Sequence, residues 1–164
     1  MRILLTRPLE DSLRTAQELA ELGHTAVVAP LFETRSLDGP ELTLDGVQAI
    51  LATSSNGVRA LARRCARRDV PVFAVGTRTA AAAYESGFAA IGDAGGDAKA
   101  LEAMVSAQLQ PEAGALLHAA GANSTGELAA ALAHKGFEVH RCVLYEAVEV
   151  RELPSAAGEA LGAG

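Results

Sequence analysis

The sequence predicts an α/β fold built on parallel sheet, and three observations carry that prediction. The first is a repeated junction. Four apolar runs end in short polar turns that open a helical pattern: Ile3–Leu5 into Thr6-Arg7-Pro8, Ala49–Ala52 into Thr53-Ser54-Ser55-Asn56, Val72–Val75 into Gly76-Thr77-Arg78-Thr79, and Ala115–Ala119 into Gly121-Ala122-Asn123-Ser124. A strand feeding a helix through Gly, Ser, Thr or Asn is the βα unit of a parallel sheet. The second is a repeated helix stop, at Gly23-His24, Gly87-Phe88 and Gly136-Phe137, each followed by an extended segment. The third is a pair of extended segments, 32–37 and 143–150, that bracket the middle of the chain.

The elements follow in order. Leu13, Ala16, Leu19, Ala20 and Leu22 carry a helical period, Gly23 caps it, and Thr25–Ala29 is β-prone, so residues 1–30 read strand, helix, strand. Phe32–Leu37 alternates and stops at Asp38-Gly39-Pro40. Strands are predicted near 47–52, 71–75, 89–91, 115–119 and 138–143, and helices near 56–68, 77–86, 97–109 and 124–135. These should form a five-stranded, mainly parallel sheet of their own, separate from residues 1–30. Leu144–Val150 alternates with Glu146 and Glu149, as a strand with one wet face does. Leu153–Leu161 begins a helix that no strand follows. One βαβ piece buries too little to stand alone. The expectation is that residues 151 onward return to the first domain, that this domain is incomplete, and that its uncovered edge favours association.

Composition narrows the function classes. The chain has 164 residues, 49% hydrophobic and 21% charged, as a globular domain does. A net charge of −6 argues against a general nucleic-acid surface. No signal-peptide pattern follows Met1 and no run of 18 apolar residues occurs, so no membrane role and a cytoplasmic location are expected. Cys65 and Cys142 lack metal or redox spacing and read as structural thiols. The arginines at 63, 64, 67 and 68 form the one basic cluster, at the predicted end of the helix begun at Asn56, where cations suit the dipole. No GxGxxG follows a strand and no P-loop motif occurs. The Gly-rich stretch from Gly92 to Asp97 reads as a loop with an Asp97 N-cap. His24, His118, His134 and His140 show no metal spacing; His118 alone lies near a strand end, either as a satisfied core residue or as a participant in chemistry. Acidic pairs of the receiver-domain type are missing from the strand ends, which carry Thr6, Thr53, Gly76 and Gly121.

In open α/β sheets ligands bind at the carboxyl edge of the strands. Ser, Thr and Asn there can be ordinary helix caps. Four such turns on one edge would also gather backbone N–H groups and positive helix ends, which suit carboxylates.

Five segments resemble uroporphyrinogen-III synthases, in order and spacing. They are Ile3-Leu4-Leu5-Thr6-Arg7-Pro8, Ala52-Thr53-Ser54-Ser55-Asn56-Gly57-Val58-Arg59-Ala60, Phe73-Ala74-Val75-Gly76-Thr77-Arg78-Thr79-Ala80, Leu117-His118-Ala119-Ala120-Gly121 and Val143-Leu144-Tyr145-Glu146-Ala147. The resemblance implies two parallel-sheet, flavodoxin-like lobes joined by a two-stranded connector. The lobes would be 1–31 with 151–164, incomplete at its C-terminus, and 46–142; the connector would be 32–45 and 143–150. It implies cyclisation of hydroxymethylbilane, with loss of water and inversion of the last pyrrole ring (ring D), without metal or organic cofactor. The implied substrate contacts are Thr6, Arg7, Thr53, Ser54, Ser55, Asn56, Gly76, Thr77, Thr79 and Gly121. Tyr145 is the implied proton donor, its rival role being connector packing; Tyr84 is expected to pack inside its helix. The implied partners are the bilane and hydroxymethylbilane synthase as its supplier, with a monomeric full-length form. The chain alone is expected to be inactive. The competing reading is a non-catalytic, two-lobed sensor of an anionic ligand, which would use the same turns.

Overall fold

The computed structural model describes residues 1–152 and 154–162. The chain divides into two compact units, residues 1–35 with 147–164 and residues 36–146.

In the first unit, β1 (Arg2–Leu5) pairs in parallel with β2 (Thr25–Val28), with Arg2 opposite Thr25 and Leu5 opposite Val28. Between them runs α1 (Leu9–Glu21). Pro8 stands at its N-cap, and Glu10 and Asp11 place negative charge on its positive end. Both α1 and α6 (Ser155–Gly162) pack on β2. The predicted helix of 153–161 is thus present from Ser155; Leu153 lies outside the described residues. No residue of β1 or β2 is fully buried, and Leu9, Leu13, Leu22 and Leu161 are exposed.

The second unit carries most of a six-stranded sheet. Its elements are β4 (Val47–Ala52), α2 (Ser55–Arg64), β5 (Val72–Ala74), α3 (Thr77–Glu85), β6 (Ile91–Asp93), α4 (Ala98–Gln108), β7 (Ala115–Gly121), α5 (Glu127–His134) and β8 (Val139–Glu149). The sheet order is β3-β8-β7-β4-β5-β6, where β3 is Phe32–Ser36. From β8 to β6 every pairing is parallel. The two strands β3 and β8 run through both units. Their bonds, Leu37 N–H to Leu144 O and Val150 N–H to Leu31 O, progress in opposite directions, so they are antiparallel.

Counted from β4, the five parallel strands lie in the order 3-2-1-4-5. Counted from β7, the same arrangement reads 2-1-3-4-5, the flavodoxin order. The flavodoxin-like expectation therefore needs a correction in connectivity: the sheet is a circular permutation of that order. The switch point falls between β4 and β7. From β4 the chain moves toward β5, and from β7 toward β8, so α2 and α5 cover opposite faces. The core divides accordingly. Ile50, Ala52, Leu117 and Ala119 pack with Val58 and Leu61 of α2, whereas Ala49, Leu51 and Leu116 pack with Leu128 and Leu132 of α5. Burial on both faces explains why β4, β5 and β7 read as apolar runs.

Several boundaries differ from the expectations. The segments 138–143 and 144–150 are one strand, β8, with a register shift: Ala120 faces Val143, but Gly121 faces Tyr145. Leu144 is the extra residue of a bulge. α2 ends at Arg64, with Cys65 already extended, so Arg67 and Arg68 lie beyond it. α5 starts at Glu127, which leaves Asn123 and Ser124 in a loop. β6 begins at Ile91, later than the predicted 89–91 strand, so Gly92 and Asp93 are strand rather than loop. The helix stops at Gly23, Gly87 and Gly136 do adopt φ of 77°, 88° and 90°, the left-handed region that glycine enters at little cost. Asp97 caps α4 by accepting from Lys99 and Ala100 N–H, both at 3.0 Å.

α2 packs closely on the sheet at Gly57, where a Cβ would lie 2.5 Å from Ala119 O. Gly57→Ala should therefore destabilise the chain by about 1–3 kcal/mol, despite alanine's better helix propensity. Urea unfolding checks this; a neutral or stabilising result would mean that α2 shifts freely.

Candidate functional site

Three of the four polar turns lie at the carboxyl edge of one sheet, after β4, β5 and β7. The fourth, with Thr6 and Arg7, follows β1 of the separate two-stranded sheet, which corrects the expectation of four turns on one edge. Arg7 there pairs with Asp11 at 3.2 Å, and its carbonyl accepts from the Ser12 hydroxyl at 2.8 Å. The Thr6 carbonyl accepts from Leu31 N–H.

At the edge of the larger sheet the bulge decides the geometry. Simple alternation would send Leu144 and Tyr145 to opposite faces. Both instead pack in the α2-side core, Leu144 fully buried and Tyr145 half-buried. The Tyr145 ring lies over Gly121, where any Cβ would meet it at 2.6 Å. Its hydroxyl is 2.8 Å from Ser54 Oγ. Ser54 is also the N-cap of α2 and accepts from Gly57 N–H at 3.2 Å. A hydroxyl pair thus sits at a positive helix end, with Gly121 giving the Tyr145 ring its clearance.

On the other face of the sheet, Thr53 Oγ1 is 3.3 Å from Nε2 of the buried His118. His118 Nδ1 is buried without a hydrogen-bond partner. Burial, with the Arg141 cation as a lesser cause, pushes the His118 pKa below its ordinary 6.5 and keeps the ring neutral at pH 7. Arg141 itself braces the turn after β7, donating to Gly121 O at 3.0 Å and Ser124 O at 3.1 Å.

The remaining sequence-predicted residues divide by role. Ser55 is buried and donates to Arg78 O at 3.3 Å. Asn56 Oδ1 accepts from Arg59 at 3.5 Å. Gly76 is the N-cap of α3 without a side-chain cap; its carbonyl accepts from Thr79 and Ala80 N–H at 2.9 and 3.0 Å. Thr79 is buried, whereas Thr77 and Arg78 are exposed on that first turn. Gly121 is the last residue of β7 rather than part of the following turn. Tyr84 is 77% exposed, which corrects its expected packing role: α3 turns its alanines inward and this ring outward. Asp97 closes the α4 end to anions. Its carboxyl, bonded by Ala100 N–H foremost, is held below the usual range. Among the described residues no His/Cys/Asp/Glu group could hold a metal ion, and no helix is long and apolar enough to cross a membrane.

Sequence reasoning misses the Ser54–Tyr145 and Thr53–His118 pairings and the exposed Arg78. The first depends on a bulge that no local pattern announces; the third lies within a motif whose glycine and threonines draw the attention.

Two consequences are measurable. Ser54→Ala removes both the α2 cap and the phenol's partner, and should cost about 1–2 kcal/mol in urea unfolding. Just below pH 6.5 the unfolded chain binds a proton at His118 that the folded chain refuses. Stability should then fall as pH drops through that window, by up to about 1.4 kcal/mol per pH unit. His118→Gln should flatten this part of the pH profile; an unchanged slope would assign it to other groups.

Comparisons with known proteins agree with this architecture. The structure of a mutant uroporphyrinogen III synthase from the extremely thermophilic bacterium Thermus thermophilus superposes with a TM-score of 0.54 at 21% identity, covering 99% of this chain and 69% of that one. Uroporphyrinogen-III synthetase from Helicobacter pylori 26695 gives 0.61 at 17% identity, covering 83% and 61%. The wild-type Thermus thermophilus protein gives 0.51 at 24% identity, covering 98% and 67%. At these identities the likeness is one of fold, and the chain spans about 61–69% of those lengths. No curated protein sequence matches the chain. The family described as uroporphyrinogen-III synthase HemD, however, matches residues 14–164, nearly the whole sequence, and the chain belongs to that family.

Proposed function

We propose that this chain acts in tetrapyrrole biosynthesis as a uroporphyrinogen-III synthase, a cyclising hydro-lyase that takes hydroxymethylbilane as substrate. The observation that carries the reading beyond family membership is the Tyr145–Ser54 hydroxyl pair at the switch-point edge. The reaction needs a proton delivered to a departing hydroxyl, and a long flexible chain held for one ring closure out of two.

In the proposed sequence the Tyr145 phenol donates to the terminal hydroxyl of the bilane. The C–O bond breaks, water leaves, and an azafulvene remains. Charge developing on the phenol oxygen is met by the Ser54 hydroxyl, which can turn its own proton toward it. The last pyrrole then attacks the azafulvene methylene through its substituted carbon to give a spiro intermediate. The older bond from that carbon to the ring C methylene breaks, and this methylene re-bonds at the free α-carbon of ring D, which inverts the ring. The proton released when the macrocycle regains its pyrroles restores the phenol. Orientation decides the isomer, because the azafulvene also closes unaided without inversion. Thr53, Ser54, Ser55, Asn56, Gly76, Thr77, Thr79 and Gly121 are proposed to orient the bilane, and Thr6 and Arg7, in the turn after β1, are proposed as further substrate contacts. The substrate is rich in carboxylates. The α3 N-terminus suits one of them, since Gly76 leaves it without a side-chain cap and Arg78 is exposed beside it.

The test supplies hydroxymethylbilane to the chain alone, and to the chain joined to the part of the Thermus thermophilus protein that it does not cover. Product isomers are then resolved. Inverted uroporphyrinogen III above the spontaneous isomer supports the reading. Tight bilane binding with only the spontaneous isomer from both proteins would replace it with a ligand-binding role.

In whichever form is active, Tyr145→Phe should lower the rate roughly ten- to a thousandfold while the product stays inverted. The exposed Tyr84→Phe should be silent. Wild-type turnover in Tyr145→Phe would reduce that side chain to packing. Thr53→Ala, Asn56→Ala and Thr79→Ala should each lose only about tenfold or less, the equivalent of one hydrogen bond. A loss of about a thousandfold from any of them, with the fold intact, would give that side chain a direct chemical part.

A further inference from the structure

We propose that the carboxyl end of α2 forms a second binding site, for a small polyanion bearing phosphate or carboxylate groups. A cleft of about 420 Å³ opens there between the 39–41 strap and the segment 62–68. Arg63, Arg64 and Arg68 line it, and Glu41 is the one acidic residue in the lining. Among the described residues none of these three arginines has an ion-pair partner, whereas neighbouring Arg67 pairs with Asp69 at 2.7 Å and Asp45 at 3.7 Å. The chain has 20 acidic and 14 basic residues, so three uncompensated cations on one cleft run against its overall balance.

The guanidinium groups are held in place without being neutralised. Arg64 donates through Nε and Nη2 to Pro40 O at 3.3 and 3.0 Å. Gly39 lies so close to the same guanidinium that any Cβ would collide with it. Arg68 donates to Ser86 O and Ala62 O, both at 2.8 Å, and lies 5.0 Å from the Phe88 ring centroid. Arg63 donates to the Ser36 hydroxyl. Carbonyl and hydroxyl acceptors fix the forks but leave their charge. Little side-chain entropy is then lost when an anion arrives. With Glu41 counted, the lining is positive by two charges, which calls for a ligand of at least two negative charges. The cleft volume suits a small metabolite. α2 has ten residues, so this site is about 15 Å from the Ser54 end and distinct from the site above.

The test titrates inorganic phosphate, pyrophosphate and citrate into the 164-residue chain by calorimetry, with ionic strength held constant by chloride. Saturable binding of at least one is expected, and the preferred probe separates phosphate from carboxylate ligands. Arg63→Gln should weaken binding at least about tenfold with circular dichroism and melting temperature unchanged. Arg151→Gln, at an exposed arginine outside both sites, should leave it intact. If Arg63→Gln alters the fold, Glu41→Gln keeps the proposal testable, and tighter binding is its expected result. No saturable binding at constant ionic strength, equal affinity in Arg63→Gln, weaker binding in Glu41→Gln, or loss in Arg151→Gln would overturn the proposal.

Discussion

One extra residue in β8 governs the candidate site. Without the bulge at Leu144, the pleat would carry Tyr145 to the α5 side of the sheet, away from Ser54. With it, Leu144 keeps its place in the core and Tyr145 joins the same face. The cost is a broken ladder, which the surrounding contacts offset. Leu37 N–H bonds Leu144 O at 2.8 Å on one side, and Ala122 N–H bonds Tyr145 O at 2.8 Å on the other. Gly121 is the condition for all of this, because a side chain there would occupy the position of the phenol ring.

The strand order supplies the second constraint. At the switch point the chain leaves β4 and β7 in opposite directions, so the helices that follow them part and expose the edge between. The two faces of that edge differ in character. On the α2 side is a hydroxyl pair at a helix N-terminus; on the α5 side is a buried neutral imidazole with one bond to Thr53. α2 therefore links two regions: its first turn carries the Ser54 cap and packs on Ala119 through Gly57, and its last turn meets the arginine cleft. Read from sequence alone, those arginines are a solvated helix end. Arg64 instead binds Pro40 O, and Arg68, beyond the helix end at Cys65, binds Ser86 O and Ala62 O.

What the sequence makes legible follows from the range of each signal. Parallel strands buried on both faces announce themselves as apolar runs, and a glycine stop needs only its own residue, so β4, β5, β7 and the three helix ends are readable. Asp97 is readable as a cap because its partners lie two and three residues on. Tyr145 and Ser54 are 91 positions apart, and Thr53 and His118 are 65 apart. Such pairs depend on strand order and register, which no local pattern encodes. The β8 bulge is hidden for a related reason: Leu144 looks like an ordinary strand residue, and only Gly121 across the ladder makes the shift possible. Tyr84 is misplaced because an Ala-rich helix gives a weak apolar stripe, leaving its orientation open.

The sparse chemistry of the site is consistent with the reaction proposed for it. A strong acid at the switch point would hasten loss of the bilane hydroxyl, but the azafulvene so formed closes without inversion unless it is held. A rate gained before orientation is therefore wasted in the wrong isomer. A phenol restrained by Ser54 and Gly121 places its proton at one point in space rather than offering it widely. Under the same proposal, backbone N–H groups at the helix ends would hold carboxylates without competing for that proton. A neutral His118 adds no mobile charge beside them. On the proposed function, specificity would rest on the backbone and on one positioned hydroxyl pair, and no catalytic triplet would be required.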